Sequence, residues 1–189
     1  PEAPFAVVDG HGDPPLDANG HEQAARIRDR LAPMGDRVAA LYVTTLLRTH
    51  QTAAPLATAL GMTPRVEPDL REVHLGDWEG GEFRARVAAR DPVAVEMYAR
   101  QRWDVIPNGE PTEVFESRVR AGIERIATAH RDELVVAVVH GGVIGQVFNL
   151  ATGSSGFSFT GSDNGSVSHI AVEADGWVVR SFNDTSHLA

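Results

Sequence analysis

His140 ends an apolar stretch, and its position suggests a role in chemistry. It follows the continuously apolar residues 134–139 and precedes Gly141-Gly142. Such a run is typical of a parallel strand covered on both faces, here the most buried strand of the chain. Open α/β sheets bind ligands at the carboxyl ends of their strands, where a following helix offers N–H donors to an anion. His140 and Gly141 are therefore candidate anion contacts, and the alternative for His140 is a core histidine bonded to nearby backbone.

Arg48 and Glu72 are two further candidates. Arg48 lies near the start of a predicted helix that follows a predicted strand, so it is expected at the same sheet edge. A guanidinium there can hold a phosphoryl group through two parallel hydrogen bonds. Glu72 lies in a polar loop over 70–80, where a carboxyl group can act as a general acid. Each residue alone also fits an ordinary surface position, so the combination carries the argument.

Apolar spacing predicts the elements that position these residues. Strands are expected at 38–43, 134–139, 167–172 and 177–182, and helices around 24–31, over 46–60 with an end at Gly61, and after Gly141. A further helix is expected after a Thr112 cap, with Glu113 in its first turn. Helical excursions are expected over 80–108. Strands separated by helices predict an α/β fold, a three-layer sandwich with a central, mostly parallel sheet flanked by helices.

Composition narrows the function classes. The 189 residues fit one domain, contain no cysteine, and carry a formal net charge of −9 with arginine as the only basic residue besides histidine. An acidic chain is a poor partner for nucleic acid, and its field does not steer anions inward, so a phosphate site must be a local pocket. Neither a membrane-spanning run nor a signal-peptide pattern is present in the sequence. These features predict a cytoplasmic protein without a membrane partner.

Six segments together resemble the phosphoglycerate-mutase-like histidine phosphatase superfamily. They occur in the family's order and spacing over nearly the whole chain: 16–24, 44–53, 70–80, 108–111, 140–142 and 183–188. The family usually has Ser-Pro where this chain has Thr44-Thr45, and Ser where it has Pro111. The short tail at 183–188 resembles that of the phosphatases in the family.

The family's nucleophile is a histidine in an Arg-His-Gly-Glu motif at the end of the first strand. Family spacing from Leu16 places Glu2 on the motif's Glu and Pro1 on its Gly. We therefore expect Arg-His directly before Pro1, and residues 1–189 as a single domain whose first, central strand lies upstream.

An alternative takes 5–8 as the first strand and His11-Gly12-Asp13 as a degenerate nucleophile motif. No arginine precedes His11, and the interval to Leu16 is too short for the family's substrate loop. Residues 9–13 fit that loop better, with Gly10 and His11 as substrate-binding residues.

The resemblance implies metal-independent hydrolysis of a small phosphomonoester through a phosphohistidine, with no cofactor. Arg48, the upstream arginine and His140 would stabilise the phosphoryl oxygens, and Glu72 would serve as acid and then as base. A mutase is the alternative, although mutases usually carry a longer basic insertion, and a non-catalytic phospho-ligand binder is a third. The oligomeric state is open, and a homodimer is compatible with the sequence.

Overall fold

Strands and helices alternate along residues 5–189, the part of the chain that the computed structural model describes. The strands are β1 Val7–Val8, β2 His11–Gly12, β3 Val38–Val43, β4 Arg65–Val66, β5 Leu134–Val138, β6 Val167–Glu173 and β7 Gly176–Asp184. The α-helices are α1 Ala18–Leu31, α2 Leu47–Leu60, α3 Glu82–Ala88, α4 Pro92–Arg100, α5 Thr112–Ala129 and α6 Gly141–Thr152. Among these helices, none is both long and apolar enough to cross a membrane.

The main sheet is parallel, in the order β4-β3-β5. Val43 at the end of β3 lies opposite Val138 at the end of β5, so the residues that follow the two strands share one edge of the sheet. β6 and β7 form a separate antiparallel pair. Helices flank the parallel sheet, which confirms the predicted α/β class.

Alternating side chains of β3 pack into two apolar cores, one on each face of the sheet. Ala40 and Tyr42 pack with Phe115 of α5 and Phe148 of α6 on one face. On the other face, Leu41 and Val43 pack against α2, as the period of two in a strand requires. The sheet is therefore covered on both sides by helices.

A third apolar cluster lies outside these layers. It contains Trp78, Ala94, Met97 and Ile106, and it packs the predicted helical excursion over 80–108 against the loop that precedes it. This cluster fixes the segment that borders the candidate site.

Two helix boundaries test the capping predictions. α2 ends at Gly61, whose φ of 64° is the left-handed conformation that glycine adopts without strain. The predicted Thr112 cap is wrong, because Pro111 holds the cap position and Thr112 is the first helical residue. The Asp104 carboxylate instead accepts the Thr112 N–H at 3.2 Å, while the buried Thr112 hydroxyl has no partner among the described residues. A carboxylate supplied from a neighbouring turn has replaced the local cap.

β5 is less buried than its sequence predicts. Five of the six β3 residues are buried, whereas those of β5 are half-buried or exposed, so β5 is not the most buried strand. Within 5–189, β5 pairs with β3 alone, and its other edge faces a cavity of about 1840 Å3. Every residue of 134–140 and of 167–173 lines this cavity, which therefore lies between β5 and β6. We call it the interstrand cavity.

The hairpin of β1 and β2 excludes one interpretation of the amino-terminal region. Val7 lies opposite Gly12 in an antiparallel pair, and neither strand joins the parallel sheet. Val7–Val8 is therefore not the first strand of that sheet. The alternative in which His11 is the nucleophile loses the strand end that it needs, and Pro1–Pro4 lie outside the described residues.

Candidate active site

The structure brings the three principal candidates to one place. His140 lies two residues beyond the end of β5, Arg48 lies in the first turn of α2 after β3, and Glu72 lies two residues beyond the short 3₁₀ helix Pro68–Leu70. All three line the interstrand cavity where the parallel strands end. Strand order and connection, rather than proximity in sequence, produce this convergence.

His140 is buried at the start of α6, with 6% of its surface exposed. Its Nε2 lies 2.8 Å from the Thr44 hydroxyl. Burial, and then the positive charge of Arg48, lower the pKa of His140 well below its ordinary value. The ring is therefore neutral at neutral pH, and one of its nitrogens carries a proton that can be donated.

Thr44 is a site residue that sequence reasoning missed. The residue is fully buried, accepts a hydrogen bond from the Leu46 N–H at 3.3 Å, and lies 3.3 Å from the Thr49 hydroxyl. In the sequence it stands only as the first residue of Thr44-Thr45, where the family usually has Ser-Pro. The available signal was its place directly after β3, because His140 follows β5 at the same edge of the sheet.

Arg48 points into the site from α2. Its Nη1 donates to the Gly12 carbonyl at 2.9 Å and lies 3.5 Å from Asp13 Oδ1. Burial lowers the pKa of Arg48, while Glu72 and Asp13 act in the opposite direction. A guanidinium nevertheless stays charged in proteins, so Arg48 is the fixed cation of this site.

Glu72 lies against the amino terminus of α6. Its Oε2 accepts the Gly142 N–H at 3.2 Å, and its Oε1 accepts the Val73 N–H at 3.0 Å. Burial raises the pKa of Glu72, and these two amides and Arg48 offset part of the rise. A carboxyl group with a raised pKa holds a proton more readily near neutral pH, as a general acid requires.

Position 142 must be a glycine because the Glu72 carboxylate approaches it closely. A Cβ at position 142 would lie 2.6 Å from Glu72 Oε1, well inside ordinary contact. The second glycine of the Gly141-Gly142 pair therefore makes room for the carboxylate at the helix start.

The structure separates the three predicted substrate-binding residues. His11 and Gly141 line the interstrand cavity, whereas Gly10, at φ 82°, does not and faces His74 instead. His11 is 4% exposed, and its ring meets that of His74 edge to face at 4.9 Å. Burial, and then Arg71, lower the pKa of His11. The prediction of a substrate contact from Gly10 therefore has no support in this geometry.

Glu79 fixes the hairpin beside the site, and sequence reasoning gave it no role. Its two carboxylate oxygens accept the Gly12 N–H at 2.7 Å and the Leu75 N–H at 2.9 Å. The same Gly12 presents its carbonyl to Arg48. Glu79 therefore links the hairpin to the loop that carries Glu72.

Comparisons with known proteins agree with this geometry. Residues 5–185 match the model of the histidine phosphatase superfamily (branch 1). The chain is 32% identical to phosphoglycerate mutase-like protein 4 of Arabidopsis thaliana, over 96% of this chain and 79% of that protein. It is 30% identical to the metal-independent phosphoserine phosphatase of the same plant, over 96% and 76%.

A solved structure of a named phosphatase has a similar fold. The mycobacterial glucosyl-3-phosphoglycerate phosphatase in complex with VO3 superposes with a TM-score of 0.78 at 26% identity, covering 93% of this chain and 90% of that one. The family match extends over nearly the whole described chain and contains the segments that build the site. The chain belongs to the histidine phosphatase superfamily, branch 1.

Proposed function

We propose that this protein hydrolyses small phosphomonoesters through a phosphohistidine, without a metal ion. The observation that carries the proposal is the convergence of Arg48, neutral His140 and a Glu72 of raised pKa on one cavity. Two of the relatives described above are named as phosphatases, which supports hydrolysis as the reaction.

The first step forms a phosphorus–nitrogen bond and breaks the ester bond. An imidazole nitrogen attacks phosphorus, and the Arg48 guanidinium and a His140 N–H stabilise the charge on the phosphoryl oxygens. The departing alkoxide takes the proton of the Glu72 carboxyl group. In the second step the Glu72 carboxylate takes a proton from water, the resulting oxygen attacks phosphorus, and the phosphorus–nitrogen bond breaks. Phosphate is released, and the histidine and Glu72 return to their starting states.

The interstrand cavity supplies the argument for where the nucleophile lies. Its volume of about 1840 Å3 exceeds the roughly 300–1,000 Å3 of ordinary ligand pockets. Its long sides are the edges of β5 and β6 that pair with no strand within residues 5–189, and the backbone groups there need hydrogen-bond partners. Apolar side chains line it from both helical layers: Ala24, Ile27 and Leu31 from α1, and Ile126, Val147 and Phe148 from α5 and α6.

These features fit one extended strand. A strand parallel to β5 in this cavity would end beside His140 and Arg48. Phe5 also lines the cavity. We therefore place an Arg-His pair on a strand directly upstream of Pro1, within a single domain that also contains 1–189.

Two measurements test this placement. Determining the coding sequence upstream of Pro1 should give His at the position directly before it, and another residue there contradicts the phosphohistidine mechanism. Hydrogen exchange should then show strong protection of 134–138 and 167–173 in the longer protein but weaker protection in the 1–189 chain. β3, which is buried in either case, should be protected in both and serves as the internal control.

The middle segment favours hydrolysis over mutase chemistry. Of the five arginines between Gly80 and Asn108, Arg84 alone lines the interstrand cavity, and the three with acidic partners are Arg86, Arg100 and Arg102. A mutase that works through a bisphosphate must bind a second phosphate, and one exposed arginine would bind that phosphate only weakly. If the longer protein required a bisphosphate primer for turnover, the mutase alternative would replace the phosphatase.

The leaving group tests the role of Glu72. In the longer protein, Glu72→Gln should lower hydrolysis of an alkyl phosphate by about 10²–10⁴-fold. It should lower hydrolysis of an activated aryl phosphate much less, because that leaving group departs without a proton. Vanadate inhibition should persist in this variant, because Arg48 and His140 still supply the anion contacts.

Two results would contradict the proposal. Equal losses on both substrates would make Glu72 a structural or substrate-positioning residue. A longer wild-type protein that binds phosphorylated ligands but hydrolyses neither substrate would be the non-catalytic relative.

A further inference from the structure

One arginine directs three of its hydrogen-bond donors at backbone carbonyls near Glu72 and the other two at a single carboxylate. Arg118 lies on α5, and its side chain is 16% exposed. Nη1 donates to the carbonyls of Asp69 at 2.8 Å and Arg71 at 2.6 Å, and Nη2 donates to the Glu72 carbonyl at 3.0 Å. The remaining donors meet Glu110, from Nε at 2.6 Å and from Nη2 at 2.8 Å. A guanidinium has five N–H groups, so all of them are satisfied here.

Glu110 ties the same segment from its other end. Its Oε2 also accepts the His74 N–H at 3.1 Å, and its own N–H donates to the His74 carbonyl at 2.9 Å. Burial acts to raise the pKa of Glu110, but the hydrogen bonds and charge of Arg118 outweigh it, so this pKa is lowered. The carboxylate is therefore a permanent anion that holds the guanidinium in one orientation.

The segment between these ties has no regular structure of its own. Residues 71–75 belong to no helix or strand, so their backbone bonds are not supplied by a ladder. The carbonyls of Arg71 and Glu72 converge on Arg118, and His74 is fixed by Glu110. The backbone of Glu72 is thus held on both sides, and the direction of its side chain follows from that of its backbone.

A buried ion pair does not by itself imply a contribution to stability, because the cost of removing two charges from water can exceed their attraction. What distinguishes this pair is its target. Three backbone carbonyls, those of Asp69, Arg71 and Glu72, meet one rigid, planar cation, which places a carboxyl group more accurately than a flexible loop can.

We propose that Arg118, held by Glu110, is a positioning residue that directs the Glu72 carboxyl group toward the leaving group. This inference rests on the proposed function and adds a requirement to it. Arg118 does not line the interstrand cavity, so it acts through Glu72 rather than on the substrate.

The test substitutes the guanidinium by an ammonium. Arg118→Lys keeps the charge but has three donors on a flexible stem, so it cannot make all five bonds. In the longer protein, alkyl phosphate hydrolysis should fall by about 10- to 100-fold, the cost of misplacing a catalytic group by about 1 Å. Aryl phosphate hydrolysis should fall much less. The double variant Arg118→Lys/Glu72→Gln should be no slower on the alkyl substrate than Glu72→Gln alone.

Arg125 offers a matched control on the same helix. It lies two turns further along α5 and pairs with the side chains of Glu67 and Asp69, but it bonds no carbonyl of 71–75. Arg125→Lys should leave the ratio of alkyl to aryl hydrolysis unchanged. If Arg118→Lys folds poorly by circular dichroism, Glu110→Gln, which preserves the shape of the side chain, should give the same selective loss on the alkyl substrate.

Different outcomes separate failure of this inference from failure of the proposed function. Equal losses on both substrates in Arg118→Lys, or losses that multiply in the double variant, would show that Arg118 is only structural and would overturn the inference alone. A Glu72→Gln variant that loses both activities equally would overturn the role of Glu72, and the inference with it.

Discussion

The short distance between position 142 and Glu72 allows the placement of the acid to be changed without altering the acid itself. In Gly142→Ala, the new Cβ would lie 2.6 Å from Glu72 Oε1, and ordinary contact begins near 3.4 Å. The carboxyl group must therefore move away by about 0.8 Å, close to the shift of about 1 Å that can cost roughly 100-fold in rate. The bond from the Gly142 N–H, already 3.2 Å long, would be lost.

The loss of this bond has a second consequence for the acid. The Gly142 amide is one of the groups that offset the effect of burial on Glu72, so its removal should raise the pKa of Glu72 further. Because the carboxyl group is displaced, the alkyl substrate should lose about 100-fold in rate in Gly142→Ala, and the aryl substrate much less. The loss should be largest at low pH, where Glu72 is protonated in both proteins, and smaller at higher pH, where the raised pKa keeps Glu72 of the variant protonated.

The assay compares initial rates on one alkyl and one aryl phosphate, together with thermal unfolding. Gly145→Ala is the matched control, because it lies one turn along α6 and its Cβ would meet the Phe159 carbonyl oxygen at 3.1 Å. That variant should lose stability without changing the ratio of the two rates. The reasoning about Gly142 is refuted if both variants change the ratio alike, or if Gly142→Ala has wild-type rates on both substrates.

Three further predictions concern the anion contacts. Thr44→Val should weaken vanadate inhibition because it leaves His140 Nε2 without its partner, at a cost of about 1–3 kcal/mol. Thr44→Ser should keep the inhibition, and equal inhibition in the two variants would contradict this role of Thr44. Arg48→Lys should weaken vanadate inhibition by about 10- to 100-fold because an ammonium cannot donate two parallel hydrogen bonds to one phosphoryl group; an unchanged inhibition constant would exclude that contact. The pKa of His140 is lowered in the folded state, so the stability gained from its neutral form is complete above about pH 6.5 and is lost as the pH falls. His140→Gln should therefore lose less unfolding free energy than the wild type between about pH 7.5 and pH 5 in urea titrations. Parallel losses in the two proteins would contradict the burial of a neutral ring.

The elements whose signals are local could be predicted from the sequence. The apolar run at 38–43 gave β3 with its observed bounds, and Gly61 ended α2 because a glycine at that point adopts the left-handed conformation. The convergence of Arg48 and His140 followed from strand ends meeting at one sheet edge. The resemblance to a family added the pairing of Glu72 with that edge, which spacing alone does not provide.

Contacts between distant segments could not be predicted in this way. Arg118 bonds carbonyls 46 to 49 residues away in the chain, and a backbone carbonyl has no residue type by which a pattern could reveal it. Thr112 looked like a helix cap because the local sequence does not show that Asp104 approaches from another turn. Thr44 carries a single hydroxyl whose role depends on the register of two strands.

β5 is the place where sequence and structure disagree most usefully. Its residues 134–138 are all apolar, a pattern typical of a strand with neighbours on both edges and helices on both faces, yet the structure leaves them half-buried or exposed beside the interstrand cavity. The helices over both faces are present, as the packing of Val135 and of Val136 against opposite cores shows. The disagreement is therefore confined to one edge, and that edge runs toward His140 at its carboxyl end. A strand proposed there restores the burial that the β5 sequence predicts. Its last residues would lie beside Arg48, Glu72 and His140, which line this cavity.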